Sequence, residues 1–266
     1  MAFHTNNEPG KPINIRDAEG LIATNFIPVQ IGDSQLYWGF FPKELLTKIL
    51  DEPSCVGIRL YNAFHPNRER ERLIVVGVTE DGSEIQSTST GESGYSLISF
   101  KSTFNDESLI GGFDLSKKSR IDAARLVRSS WGTLTQGGLH DPDISFASFF
   151  SAEAVRKLLA PAACNGINFY VVGLRKPAEF PFSHLAISAQ HLFATNRIEL
   201  LTEGAQCIIC PDPCPPRCAP EVSSTTAATT SASAEFDISV SLRKMRPVSN
   251  LEISENSLDK YLERWM

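Results

Sequence analysis

The chain has 266 residues, 42% hydrophobic and 21% charged, with a net charge of −6, a composition that suits globular domains and excludes fibrous or low-complexity classes. Its basic residues are interleaved with acidic ones, so a phosphate backbone finds no footprint and nucleic acid is not an expected partner. No apolar run approaches the about eighteen residues that a membrane span needs. MAFHTNNEPGKPINIRDAEG also lacks the basic, apolar, small-residue order of a secretory signal; the expectation is a cytoplasmic protein whose six cysteines are thiols or metal ligands, since disulfides are uncommon there.

In chain order, residues 1–12 are polar with Gly and Pro and read as a flexible arm. Ile15 to Phe26 reads as a helix, matched by Arg120 to Trp131 through Asp17-Ala18-x-x-Leu21-Ile22 and Asp122-Ala123-x-x-Leu126-Val127, at an offset of 105 residues. Phe26 to Gln30 and Gln35 to Phe40 read as strands around the Gly32-Asp33-Ser34 turn. The central stretch then occurs twice without a gap, as Phe40 to Tyr61 and Phe149 to Tyr170, at an offset of 109. Phe40/Phe149, Phe41/Phe150, Glu44/Glu153, Lys48/Lys157, Leu50/Leu159, Cys55/Cys164, Gly57/Gly166, Ile58/Ile167 and Tyr61/Tyr170 match in identity. Within it, Leu45, Leu46, Ile49 and Leu50, repeated by Ala154, Val155, Leu158 and Leu159, form the core face of a helix. Each large aliphatic buried there is worth roughly 1.5 to 3 kcal/mol. Pro42 is expected in the first helical turn, and Ser151 as a cap. Gly57 and Gly166 are expected to supply a backbone angle that a Cβ opposes.

Ile58 to Phe64 and Leu73 to Val78 form the next expected hairpin, whose tip carries Arg68, Arg70 and Arg72 among glutamates and reads as solvated. Its counterpart runs from Ile167 to Leu174 and returns through Leu185 to Ser188. Residues 103–118 read as a connecting loop. The expected organisation is therefore α+β: two tandem repeats, 13–102 and 119–204, each with helices packed on a small antiparallel sheet. A Cys/Pro-rich segment and Ser/Thr/Ala linker follow over 205–234. Over 235–266, Phe236 to Arg243 alternates as a strand, and Leu258, Tyr261, Leu262 and Trp265 line one side of an amphipathic C-terminal helix. This terminal element docks either on its own chain or on another.

Cys207, Cys210, Cys214 and Cys218 are the strongest candidates for chemistry, because four thiolates can converge on zinc. Their Cys-x2-Cys-x3-Cys-x3-Cys spacing departs from paired zinc knuckles and from ferredoxin runs, and a structural turn is the competing reading. Cys55 and Cys164 read as small buried hydrophobes. Glu44 and Glu153 read as helix-start carboxylates. Among the five histidines, none recurs at a matched position, and His184 and His191 specify no metal geometry. Gly91-Glu92-Ser93-Gly94-Tyr95 lacks the closing glycine of a nucleophile elbow.

The Phe-Phe-x-x-Glu…Gly-Ile-x-x-Tyr pattern, with the preceding Asp-Ala-x-x-Leu helix and the Cys-Pro run from Cys210 to Cys218, resembles small uncharacterised bacterial proteins of Bacteroidota type. The resemblance implies no activity and brings no catalytic residues. The sequence therefore favours a non-catalytic protein–protein interaction or assembly protein over an enzyme, without a cofactor. A protein partner or a second copy is expected at Arg68, Arg70 and Arg72 and at Leu258, Tyr261, Leu262 and Trp265. The alternatives are a zinc or redox module on the four cysteines, and a hydrolase whose site between the repeats gathers His140, Asp141, Asp143 and His184.

Overall fold

A computed structural model of the chain describes residues 11–14, 16–18, 30–31, 34–35, 38–63, 71–100, 113–127, 147–173, 182–192, 194, 197–201 and 206–210. In chain order these are β1 (Lys11–Ile13), a helical turn α1 (16–18), β2 (Gln30–Ile31), β3 (Ser34–Gln35), β4 (Trp38–Pro42) and α2 (Lys43–Leu50). Then come β5 (Cys55–Asn62), β6 (Glu71–Thr79), β7 (Tyr95–Phe100), β8 (Phe113–Lys118) and helix α3 (120–127). β9 (Ala147–Ser151), α4 (Ala152–Leu158), β10 (Gly166–Gly173), β11 (Phe182–Leu192), β12 (Arg197–Leu200) and β13 (Cys207–Ile209) complete them. The α+β class is as expected, and every pairing is antiparallel.

Two sheets carry the fold. The first runs β1-β13-β11-β10-β4, with β12 also on β11; the second runs β8-β7-β6-β5-β9. Along β5, Ile58 and Leu60 enter one core cluster and Tyr61 another, as strand alternation requires. Ile58, Leu60, Leu73, Val75, Ile98 and Phe150 of the second sheet meet Phe41, Ile167, Phe169, Ala186 and Ile208 of the first in one apolar layer. On the outer face of the second sheet, α3 lays Ala123, Leu126 and Val127 against Tyr61, Ile74, Val76, Tyr95 and Leu97. On the outer face of the first, Ala18 of α1 packs with Val172, Leu185, Ile187, Cys207 and Ile209. The order is helix, sheet, sheet, helix.

The chain crosses between the sheets at α2 and at α4. β4 pairs with β10, and β9 pairs with β5, so each lead-in strand lies in the sheet of the other segment's hairpin. The expected units 13–102 and 119–204 thus exchange strands. The offset of 109 holds in the hydrogen-bond register: Gly57↔Ser151, Ile58↔Phe150 and Leu60↔Ser148 correspond to Gly166↔Pro42, Ile167↔Phe41 and Phe169↔Gly39. The first helices are exchanged too, because Ala18 lies over β10 and β11 and Ala123 over β6 and β7.

Shared residues acquire local causes. Asn14 and Ser119 cap α1 and α3 by accepting from the amides of Asp17 (2.8 Å) and Asp122 (3.1 Å), and each matched aspartate side chain accepts in return from the side chain of its cap. Glu44–Lys48 (2.9 Å) and Glu153–Lys157 (2.6 Å) are i,i+4 pairs on the exposed helix faces. The lysine hydrogen bond holds each carboxyl below its usual range. Ser151 caps α4 through the Ala154 amide (3.2 Å), as expected, whereas Pro42 stands one position before α2 rather than within its first turn. Each helix end is also clasped from the other segment: Lys43 Nζ donates to the Leu159 carbonyl (2.6 Å), and Arg156 Nη2 to that of Leu50 (2.9 Å). These cations meet the negative helix termini.

Gly57 and Gly166 correct one expectation. Both lie inside strands, and positive φ occurs among the described residues at Ser54, Gly82 and Gly91. Their cause is steric: a Cβ on Gly57 falls 2.3 Å from the Phe150 carbonyl oxygen, and one on Gly166 falls 2.2 Å from the Phe40 ring. The exchanged Phe-Phe strand passes directly over each glycine, so the matched Gly and Phe residues are two halves of one contact. Three further differences concern segments read as irregular. Residues 11–12 belong to β1, the expected loop 103–118 ends in β8, and the Cys/Pro-rich segment contributes β13 between β1 and β11.

Candidate functional site

Of the four candidate cysteines, Cys207 and Cys210 are described, and they separate in space. Cys207 and Ile209 point to the layer beneath α1, while Ile208 and Cys210 point into the layer between the sheets. Alternation along β13 sends the two thiols to opposite faces, both buried. Cys214 and Cys218, the other two thiols of the expected metal set, lie outside the described residues. No group of three His, Cys, Asp or Glu side chains with metal-binding geometry occurs among the described residues. Arg68, Arg70, His140, Asp141, Asp143, Leu258, Tyr261, Leu262 and Trp265 also lie outside them, and Arg72 is placed by its backbone at the start of β6.

Cys55 and Cys164 have the same local geometry, as their matched positions suggest. Each thiol donates to the carbonyl two residues on, Gly57 at 3.2 Å and Gly166 at 3.1 Å, and Cys164 also reaches that of Leu158 at 3.3 Å. Burial pushes the Cys55 thiol up, the reverse of what a nucleophilic thiolate needs.

Two buried polar clusters occur among the described residues, and of their members only His184 was an expected site residue. On the outer face of the second sheet, Arg59 Nη1 donates to Glu84 Oε1 (3.0 Å) and its Nη2 to the Gly82 carbonyl (3.0 Å). Tyr95 donates to Glu84 Oε2 (2.7 Å) and Tyr61 to Oε1. Both members of the ion pair have side-chain exposure of 0%, so an arginine, a carboxylate and two phenols form a buried, hydrogen-bonded network. The corresponding pair on β10 is Asn168 and Tyr170, and the Asn168 Oδ1 is buried without a partner.

The second cluster lies between the sheets. Asn62 follows Ile58 and Leu60 on the inward side of β5, Ser148 precedes Phe150 on β9, and His184 precedes Ala186 on β11. His184 Nε2 donates to Asn62 Oδ1 at 3.1 Å, so Nδ1 accepts from the Ser148 hydroxyl at 2.7 Å. Hydroxyl, imidazole and amide stand in the order of a nucleophilic triad. Burial decides against that chemistry: Ser148 is 0% exposed, and His184 and Asn62 are each 2% exposed. Burial also lowers the imidazole to about 3, far from the neutral range that suits a general base. His184 and His191, seven positions apart on β11, face opposite sides, and His191 lies against the Phe40 ring at 5.8 Å. The signal for the cluster was present in the sequence, since Ser148 and Asn62 are polar where the matched positions, Gly39 and Val171, are not.

No helix among the described residues is long and apolar enough to cross a membrane. No family model, curated protein or solved structure matches the chain.

Proposed function

We propose that the chain is a non-catalytic protein–protein interaction or assembly protein, built from two equivalent α+β segments and acting in the cytoplasm without a cofactor. One observation carries the reading: the group best suited to chemistry, His184, is spent between Ser148 and Asn62 at 2% exposure. The reduced thiols of Cys55 and Cys164, hydrogen-bonded to carbonyls, fit a reducing compartment. In this reading the strand-exchanged body is a frame, and contacts with a partner or a second copy fall to the Arg68–Arg72 hairpin tip and to 235–266.

Light scattering over a wide concentration range, on the full chain and on a chain lacking Ser254 to Met266, tests this. The expected result is concentration-dependent association that weakens on truncation. A monomer throughout, equally stable after truncation, sinks the proposal. Elemental analysis of protein purified without chelator supplies a second check, because stoichiometric zinc would overturn the cofactor-free reading.

A further inference from the structure

The Ser148–His184–Asn62 cluster has a counterpart related by the register that relates the two segments. Ser148 corresponds to Gly39 and Asn62 to Val171, while His184 opposite Val171 corresponds to Leu73 opposite Asn62. At this second joint the contact is apolar: a Cβ on Gly39 falls 3.1 Å from Leu73 Cδ1, and Val171 is buried. One joint is a hydrogen-bonded chain and the other is hydrocarbon. Asn62 belongs to the first segment; Ser148 and His184 belong to the second.

We propose that Ser148, His184 and Asn62 form the specificity determinant that pairs the first segment with the second and opposes pairing of like segments from two chains. The inference rests on the reading that the segments are equivalent, and it adds what keeps them from interchanging. Strand registers alone would accept a like pair, because Gly57 and Gly166 receive the Phe-Phe strand in the same way. The joints would not. Two first segments would set Leu73 of one chain against Asn62 of the other, leaving the buried amide without a partner. Two second segments would set His184 against Val171, leaving Nε2–H without its acceptor. A buried donor or acceptor stranded in this way is strongly disfavoured, and a single buried polar contact is the best-attested device for fixing pairing among otherwise similar partners.

The test uses the full chain. Made singly, Asn62→Val strands the His184 Nε2–H and His184→Leu strands both the Asn62 amide and the Ser148 hydroxyl, and each should lower Tm by on the order of 5–10 °C. The triple variant Ser148→Gly, His184→Leu, Asn62→Val copies the apolar joint and should recover much of that loss. Refolded from denaturant at rising concentration beside the wild type, it should show by light scattering a species of twice the wild-type mass, in which two chains have exchanged like segments. Equal masses for both proteins at every concentration would overturn the proposal. Should the triple variant fail to fold, the Asn62/His184 double-mutant cycle decides instead: strong non-additivity supports the joint, and additive or negligible single effects reject it. On the assembly reading, association through 235–266 would occur in wild type and variants alike, so failure here is distinct from failure of that reading.

Discussion

The two joints of the inter-sheet layer occupy matched positions and are built from opposite chemistry. Ser148, His184 and Asn62 close one with two hydrogen bonds; at the other Leu73 lies against Gly39, and Val171 is buried. The outer faces diverge likewise, with Arg59 and Glu84 as an ion pair where the other sheet has neutral Asn168. What stays constant is the crossing itself: a glycine, a Phe-Phe strand over it, a core-facing helix and a thiol folded back on a carbonyl. The comparison separates requirements of backbone approach, which fix residue type in both segments, from requirements of side-chain chemistry, which do not.

The largest effect should fall where the segments agree. Gly57→Ala and Gly166→Ala each drive a Cβ into a backbone oxygen, at 2.3 Å and 2.5 Å, and into a phenylalanine ring. The backbone oxygen cannot retreat as a side-chain end can, so each substitution should cost more than the roughly 1–3 kcal/mol typical of overpacking. Soluble yield and denaturant midpoints measure it. If one glycine tolerates alanine and the other does not, the crossings are not equivalent and the comparison breaks.

Next come the outer faces. Arg59→Leu leaves Glu84 buried between two phenols without its cation, and losing one partner of a buried pair costs about 3–5 kcal/mol. Asn168→Leu removes an amide oxygen that has no partner together with the amide's hydrogen bond to the buried Tyr170 hydroxyl, and should cost only about 1 kcal/mol by the same denaturant titration. Comparable losses at both sites would show that the charge network is not what distinguishes the sheets.

The polar joint should also make stability depend on pH. In the unfolded chain His184 titrates near its ordinary 6.5; in the fold burial lowers it to about 3. The neutral imidazole is the form the fold accepts, so the stability is complete above about pH 6.5 and falls as pH drops towards 3, by about 1.4 kcal/mol per unit. Between pH 6.5 and 5 the loss should be about 2 kcal/mol, and His184→Gln should remove that slope. Identical slopes in wild type and variant would mean that His184 does not report on the joint.

Much of this was legible beforehand because it is local or repeated. Helix faces followed from the spacing of Leu45, Leu46, Ile49 and Leu50, and the matched aspartates Asp17 and Asp122 both lie in the first turn of a capped helix. The exchange was not legible: a duplicated pattern states that two segments fold alike but not which hairpin each lead-in strand joins, since β4 meets the same Gly-Ile-x-x-Tyr pattern in either sheet. β8 was hidden by Ser116, Lys117 and Lys118, polar residues that suit a strand at a sheet edge as well as a loop. The thiol spacing of Cys207 and Cys210 says nothing of the strand alternation of Cys207–Ile209, which places them in different core layers. Asn62 continues the inward period of Ile58 and Leu60, and that periodicity was the overlooked sign of a buried polar group.

The smallest effect tests whether the apolar joint is as narrowly specified as the polar one. A Cβ on Gly39 would lie 3.0 Å from Ile98 Cγ2 and 3.1 Å from Leu73 Cδ1, both ends of flexible side chains that can retreat by a few tenths of an ångström. Crowding is unfavourable, but alanine also restricts the unfolded chain more than glycine does, a gain of about 0.4–1 kcal/mol where the backbone is compatible. Gly39 sits in a strand without positive φ, so the two terms should leave Gly39→Ala within about 1 kcal/mol of wild type. Urea midpoints decide. A loss beyond about 2 kcal/mol would mean that the apolar joint is held as tightly as the hydrogen-bonded one, and that discrimination between the segments is shared by both ends rather than concentrated at His184.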